Sequence, residues 1–243
     1  MKAMVLAAGL GTRLRPLTND RPKALVEVGG RTMLEIALQR LRAFGVNEVI
    51  VNTHHFADMM RDYLDSRRNF GMRIEISRED VLLDTGGGLK KAAWFFLEDG
   101  GDEPFLVHNV DVISNIDLAR MVRFQAERGA LATLAVQARA TARPLLFDAD
   151  GWFRGRAEPG HSTTETGREA LAFSGIHVIS PRIFAKLTEE GVFSIVDSYV
   201  RLAAEGEKIV AFRTDEYYWR DLGRQQNIDQ ADRDLAAGAL SFI

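Results

Sequence analysis

The apolar run Met4-Val5-Leu6-Ala7-Ala8-Gly9, emptying into Leu10-Gly11-Thr12-Arg13-Leu14-Arg15-Pro16, constrains this chain more than any other stretch. A short continuous apolar run ended by glycine reads as a strand buried on both faces of a parallel sheet, with a tight turn at its carboxyl end. Gly9 and Gly11 lack a Cβ, so the turn can present backbone N–H groups to an anion. Arg13 adds a forked, permanently charged donor, and Lys23, after Pro22, adds a mobile point charge. Together they describe a place to hold a polyphosphate and imply a nucleotide-using enzyme. The turn is not the dinucleotide fingerprint, since the third glycine of G-x-G-x-x-G is missing, and no Gly-Lys-Ser/Thr follows to make a P-loop. The apolar stretch is cut off at Gly11-Thr12-Arg13 with no Ala-x-Ala site after it, which argues against a signal peptide.

Apolar β-rich runs alternate with helical patterns through the first half, as in βαβ units. Strands are expected near Ala3–Ala8, Glu48–Asn52, Arg73–Ser77, Pro104–Val110 and Ala132–Gln137. Leu34, Leu38, Leu41 and Phe44 recur at helical spacing with Gly45 as the stop, and Asp117–Glu127 reads as a helix ended by Gly129. In the second half, Leu145–Phe147 and Trp152–Arg154 flank an Asp150-Gly151 turn as a hairpin, and a strand is expected over Leu171–Ile179. Pro181 suits the first turn of a helix, Ile195, Tyr199 and Ala203 share one helix face, Ile209–Arg213 reads as a strand and Asn227–Ala237 as a closing helix. The fold class is α/β: a Rossmann-like, mostly parallel sheet flanked by helices, with a β-rich insertion on the substrate side after about residue 138 and no linker dividing the chain. At 243 residues the chain can bury a sizeable core. A net charge of −3 gives no global attraction to nucleic acid, no apolar run approaches the length that spans a bilayer, and the absence of cysteine excludes thiolate zinc sites and cysteine nucleophiles. A cytoplasmic enzyme follows as the expectation.

Parallel sheets place ligands beyond the carboxyl ends of their strands. Asp84-Thr85-Gly86-Gly87-Gly88, opening the helical stretch Leu89-Lys90-Lys91-Ala92-Ala93, either lets a ligand approach the backbone closely or is a helix cap and turn. Asp111, at the exit of the strand ending in His108-Asn109-Val110, is either a helix cap or a Mg²⁺ ligand beside phosphates; Asp117 lies nearer the next helix and is the better cap. Asp221 sits in Tyr217-Tyr218-Trp219-Arg220-Asp221-Leu222-Gly223, whose aromatics either stack a ligand or pack the last strand. Spacing alone does not pair Asp111 with Asp221. His54-His55 suits a helix start or loop, His108 a satisfied near-core position, and Ser194 and Ser198 have no triad partners in view.

Leu6 to Thr18, with Arg21-Pro22-Lys23-Ala24-Leu25-Val26, resembles the signature of the sugar-1-phosphate nucleotidylyltransferases. The likeness continues through Thr85-Gly86-Gly87-Gly88, Asn109-Val110-Asp111, Phe173-Ser174-Gly175-Ile176 and Trp219-Arg220-Asp221-Leu222-Gly223, nearly the whole chain. The Thr-Gly-Gly-Gly form is similar to the branch holding N-acetylmuramate 1-phosphate uridylyltransferases and mannose-1-phosphate guanylyltransferase-like enzymes. The resemblance implies the nucleotide-diphospho-sugar transferase fold in one domain over residues 1–243, with 1–138 the nucleotide-binding half and 139–243 the sugar-phosphate-binding half. It also implies attack by a sugar phosphate oxygen on the α-phosphorus of a nucleoside triphosphate, UTP favoured. It assigns catalysis to Arg13, Lys23, Asp111 and Asp221, the two aspartates holding Mg²⁺. It assigns nucleotide binding to Leu6, Ala7, Ala8, Gly9, Gly11, Thr12, Arg13, Thr85, Gly86, Gly87 and Asn109, the backbone at Ala8, Gly9 and Gly86–Gly88 reading the base. Lys23, Glu158, Ser174 and Gly175 meet the sugar phosphate. The partners implied are small molecules, with neither nucleic acid nor membrane.

The chain departs from that pattern at three points. Val110-Asp111 stands where the family usually has Gly-Asp, and Arg224 follows Gly223 where a Thr or Ser is common. Ala157-Glu158-Pro159 stands where many relatives carry the lysine that grips the sugar phosphate; Arg143, Arg154 and Arg156 are the nearby candidates to replace it.

Overall fold

The computed structural model describes residues 1–98, 100–157 and 167–240. In chain order its elements begin with β1 (Lys2–Leu6), the small hairpin β2 (Glu27–Val28) and β3 (Arg31–Thr32), α1 (Met33–Ala43), β4 (Glu48–Thr53), α2 (Ala57–Ser66) and β5 (Arg73–Arg78). Next come α3 (Asp84–Lys91), α4 (Ala93–Leu97), β6 (Phe105–Asn109), β7 (Val112–Ser114), α5 (Leu118–Arg128) and β8 (Ala132–Gln137). The second half holds β9 (Leu145–Phe147), β10 (Phe153–Arg156), β11 (Glu169–Ile179), α6 (Ile195–Ala204), β12 (Ile209–Arg213), β13 (Trp219–Asp221) and α7 (Gln225–Ala236).

A nine-stranded sheet runs through the middle of the described residues. Strands β6, β1, β4 and β5 lie side by side and parallel, as expected for βαβ units. Their side chains alternate between two cores: Ala3, Val5, Val49, Val51 and Leu106 face one, Met4, Ile50, Phe105 and Val107 the other. Burial on both faces is why β1, β4 and β6 are largely apolar, whereas β5, at the sheet edge, alternates Ile74 and Ile76 with polar residues. Thr32 caps α1 by accepting from the Glu35 N–H at 3.1 Å, and Asp117 caps α5 by accepting from the Arg120 N–H at 2.8 Å. Gly129, at φ +55°, closes α5 in the left-handed conformation that glycine tolerates best.

The β-rich second half is woven into the main sheet. β11 runs antiparallel to β6 on one side and to β8 on the other, and β12 joins parallel to β8. The register of β11 shifts between Phe173 and His177, around Gly175 at φ +74°. This bulge bends the strand, so its first residues pair with β9 and its last with β6. A second pairing is remote from the sheet order: β7 and β13 form an antiparallel pair with Val112 opposite Asp221. The expected strand over Ala3–Ala8 ends at Leu6, because Ala7 leaves the ladder and donates its N–H to the Asn52 side chain at 2.7 Å. The helix expected at Pro181 is one 3₁₀ stretch, Pro181–Ala185. α2 and α4 were not foreseen. Residues 158–166, Glu158 among them, lie outside the described residues.

Candidate active site

A cleft of about 340 Å³ opens beyond the carboxyl ends of β1, β4 and β6. Leu6, Ala8 and Gly9 line one wall, Asn109, Val110 and Asp111 another, and Lys23 and Asn52 also face it. Asp84 and Thr85 close it on the α3 side, with Leu82 and Val192 at its edge. Of the loop residues that the resemblance assigns to the nucleotide, Leu6, Ala8 and Gly9 line this cleft, and Ala7, Gly11, Thr12 and Arg13 do not. Added at Gly9, a Cβ would meet nothing within 4 Å, so this glycine faces open space. Gly11 is different: at φ +63°, its Cβ would come within 2.9 Å of Thr18 Cγ2 and 3.0 Å of Lys23 Cβ. The loop folds back here, and the Thr18 hydroxyl donates to the Gly11 carbonyl at 2.9 Å. Thr12 and Arg13 then lie in a 3₁₀ turn, Thr12–Leu14.

Asn52 holds the loop to its neighbour across the cleft. Its Oδ1 accepts from Ala7, its Nδ2 donates to Glu79 Oε1 at 2.8 Å, and Glu79 Oε2 accepts from the Leu83 N–H at 2.9 Å. Glu79 is a buried carboxylate, 1% exposed, and it survives burial because each oxygen has a donor. Neither Asn52 nor Glu79 stood out in the sequence. An Asn ending a buried strand and an acid four residues before the Leu83-Asp84 step were the only signals.

The four charged residues that the resemblance assigns to catalysis converge. Lys23, in a 3₁₀ turn behind Pro22, makes an ion pair with Asp111 Oδ2; both side chains are mostly buried. The Leu222 N–H donates to the Asp111 carbonyl at 2.7 Å, which sets Asp221 beside Asp111. Asp221 Oδ1 accepts from the Gly223 N–H at 2.8 Å, and the Asn227 amide donates to its backbone carbonyl at 2.7 Å. Arg13 reaches the same place: a Cβ on Gly223 would lie 2.7 Å from Arg13 Nη2 and 2.8 Å from Asp221 Oδ1. The donor set suits Mg²⁺, a hard cation that takes one or two carboxylates and completes its shell with phosphate oxygens and water. Among the described residues no cluster of three or more metal-type side chains competes with this pair.

The α3 glycines need a correction. They are buried and do not line the cleft. The N–H groups of Gly86 and Gly87 both donate to the Phe193 carbonyl, at 2.9 and 3.2 Å. Added Cβ atoms would strike Phe193 at 2.4 Å from Gly86, the Gly191 carbonyl at 2.3 Å from Gly87, and Glu79 Oε1 at 2.7 Å from Gly88. Their smallness serves the packing of α3 against α6 and its approach loop rather than a ligand. Asp84 (φ +59°) and Thr85 are the cleft-facing part of the motif. Thr85 Oγ1 accepts from the Ile195 N–H at 3.1 Å, capping α6 rather than its own helix.

The sugar-side candidates are scattered. Gly175 lies against the cleft wall, where a Cβ would meet Asn109 Nδ2 at 2.7 Å. Ser174 is fully buried and offers its carbonyl to Trp219 Nε1 at 2.7 Å, so its side chain does not reach the cleft. Arg143 is exposed, Arg154 pairs with Asp148 at 2.7 Å and Arg156 with Asp197 at 2.7 Å. The structure does not bring these arginines to the cleft. A different one, Arg139, lies beside Trp219 and Asp221. His108, next to the site on β6, is buried and held neutral, its pKa pushed down to about 4 by loss of solvent and then by the Arg40 charge.

Residues 2–147 match the family model described as nucleotidyl transferase. The chain is 38% identical to an N-acetylmuramate alpha-1-phosphate uridylyltransferase of Caulobacter vibrioides, over 96% of both proteins. It is 39% identical to a probable mannose-1-phosphate guanylyltransferase of Oryza sativa over 137 residues, 56% of this chain and 38% of that one. In three dimensions it is similar to a putative glucose-1-phosphate thymidylyltransferase of Bacillus anthracis, with a TM-score of 0.83 at 20% identity, covering 100% and 97% of the two chains. That likeness establishes the fold: a mixed, mostly parallel sheet between helices. With the cleft, its four converging charges and the match to residues 2–147 taken together, the chain belongs to the nucleotidyl transferase family.

Proposed function

We propose that this protein transfers a nucleotidyl group from a nucleoside triphosphate, UTP first, to a sugar 1-phosphate, with Mg²⁺ held by Asp111 and Asp221. A phosphate oxygen of the sugar 1-phosphate forms a bond to the α-phosphorus, and the bond from that phosphorus to the β-phosphate oxygen breaks. The products are a nucleotide sugar and pyrophosphate. Such transfers depend on positioning and charge neutralisation more than on an acid or base. The observation that carries the reading is the Lys23–Asp111 ion pair in the wall of a cleft bordered by the glycine loop, with Asp221 and Arg13 brought alongside through Leu222 and Gly223.

The residues divide the work by position. Ala8 and Gly9 leave room for the nucleotide along the loop, with Asn52 keeping that loop in place. Arg13 holds the departing β,γ-phosphates. Lys23 neutralises charge where the α-phosphate and the sugar phosphate meet, being released from Asp111 when these anions arrive. Bound at the two aspartates, Mg²⁺ supplies electrostatic stabilisation of the phosphate oxygens and fixes their orientation. The uridylyl reading follows the 38% identity to the N-acetylmuramate enzyme over 96% of both chains, so N-acetylmuramate 1-phosphate is the first acceptor to test. The product would be a precursor of cell-envelope polysaccharide. A guanylyl donor is the second reading, favoured by the 39% identity to the mannose-1-phosphate enzyme over 137 residues. Four nucleoside triphosphates tested against a panel of sugar 1-phosphates, scored by pyrophosphate release, decide both donor and acceptor. Pyrophosphate released only in the presence of a sugar 1-phosphate is the expected result, and none with any acceptor sinks the proposal.

A further inference from the structure

Close enough to Asp221 to feel its charge, the second half carries a cation that no motif announced. Arg139 follows β8 and is half-buried. Its guanidinium lies over the Trp219 ring at 3.7 Å, and its Nη2 donates to the Phe173 carbonyl at 2.7 Å. Trp219 is itself pinned by its Nε1 bond to the Ser174 carbonyl. Both carbonyls belong to the bulge that Gly175 makes in β11, and Gly175 packs against Asn109 of the cleft. Trp219 and Asp221 stand two residues apart on β13, so they project to the same face, and Asp221 acts on the Arg139 charge.

This guanidinium is held in place yet incompletely used. Its Nη2 is taken by the Phe173 carbonyl and its Nε is buried without a partner, so Nη1 is the donor open to a ligand, and among the described residues no carboxylate lies within ion-pair distance. A half-buried charge with a spare donor is costly unless an anion completes it. A stacked planar fork loses little freedom on binding phosphate, which suits arginine over lysine. We infer that Arg139 binds the anionic 1-phosphate of the acceptor sugar beside Asp221, the role for which Arg143, Arg154 and Arg156 are badly placed. The inference rests on the transfer reaction proposed above. The competing role is purely mechanical, a strap that keeps Trp219 against the bulge.

The test varies acceptor and triphosphate separately, using the acceptor that supports pyrophosphate release by the unaltered protein. If none does, the transfer reading fails before Arg139 is examined. Given an active acceptor, Arg139→Gln raises its KM at least about tenfold and leaves the KM for the triphosphate within about twofold, while Arg139→Lys, which keeps the charge, falls between. Parallel rises in both KM values, or a fall in kcat with a lower Tm and unchanged acceptor KM, overturn the assignment in favour of the strap. Should Arg139→Gln fail to fold, Arg139→Lys is read alone: a raised acceptor KM with the triphosphate KM unmoved supports the assignment, and no separation of the two overturns it.

Discussion

The backbone N–H of Leu222 donates to the carbonyl of Asp111 at 2.7 Å. This bond extends the pairing of β7 with β13, and it brings the backbones of two aspartates, far apart in sequence, alongside one another. Lys23 and Arg13 approach that point from the amino-terminal loop. Asp111→Asn or Asp221→Asn should therefore cut the rate of pyrophosphate release by about a hundredfold or more, the scale of losing one preorganised electrostatic contact, about 3 kcal/mol. Circular dichroism should show a folded protein in both cases. Chelation with EDTA should abolish release and added Mg²⁺ restore it; turnover that persists in EDTA would contradict the metal assignment.

Asn52 satisfies Ala7 and Glu79 together, so Asn52→Ala leaves a buried amide and a buried carboxylate each short of a partner. An unsatisfied buried group costs about 1–3 kcal/mol, more when charged. Urea unfolding should show a loss in that range, and the KM for the triphosphate should rise more than that for the acceptor, because the loop that frames the nucleotide is released. Equal changes in the two KM values would count against the loop-holding role.

Gly87→Ala should act on stability before it acts on nucleotide affinity. The new methyl meets the Gly191 carbonyl at 2.3 Å, and a backbone carbonyl cannot swing aside as a flexible side chain can. Overpacking of this kind costs about 1–3 kcal/mol, occasionally more. At about 2–4 °C per kcal/mol for a chain of this size, the melting temperature should fall by several degrees. A variant with unchanged Tm and a selective loss of triphosphate binding would restore the reading in which the glycine admits the base.

His108 and His177 lie buried on neighbouring strands, and burial pushes their pKa values down to about 4 and about 3. Unfolding returns each to its ordinary value near 6.5, so between those limits the unfolded chain binds more protons than the folded one. Stability is then fully present above about pH 6.5 and declines as the pH falls toward 4, by about 1.4 kcal/mol per pH unit for each histidine that titrates. Urea midpoints at pH 7, 6 and 5 check the slope, and His177→Gln should reduce it by one group while losing the bond to the Tyr199 hydroxyl. A flat profile from pH 7 to 5 would refute it.

What was legible in the sequence was local. Apolar runs located β1, β4, β6 and β8, which are buried on both faces, and the alternation of Ile74 and Ile76 with polar residues located the edge strand β5. Asp117 caps α5, as its place before the helical pattern implied, and Gly129 ends that helix. α2 escaped because its start carries no such mark: its N-cap, Phe56, sits at φ +58° without a side-chain cap. β7 and β13 are three residues each, too short to show a period, and exist only because they find one another.

The sequence by itself determined the glycine loop at the exit of the first strand and the charged residues that follow it, because a glycine turn after a buried strand is a property of adjacent residues. Only the tertiary structure decided which acids lie alongside one another, which glycines pack against protein, and which arginine stacks on Trp219. Those depend on distances between segments remote in the chain: a backbone bond from Leu222 to Asp111, a helix pressed against Gly86–Gly88, and an aromatic ring beneath Arg139. Contacts of that kind are set by packing, which has no signature in the spacing of residues along the chain.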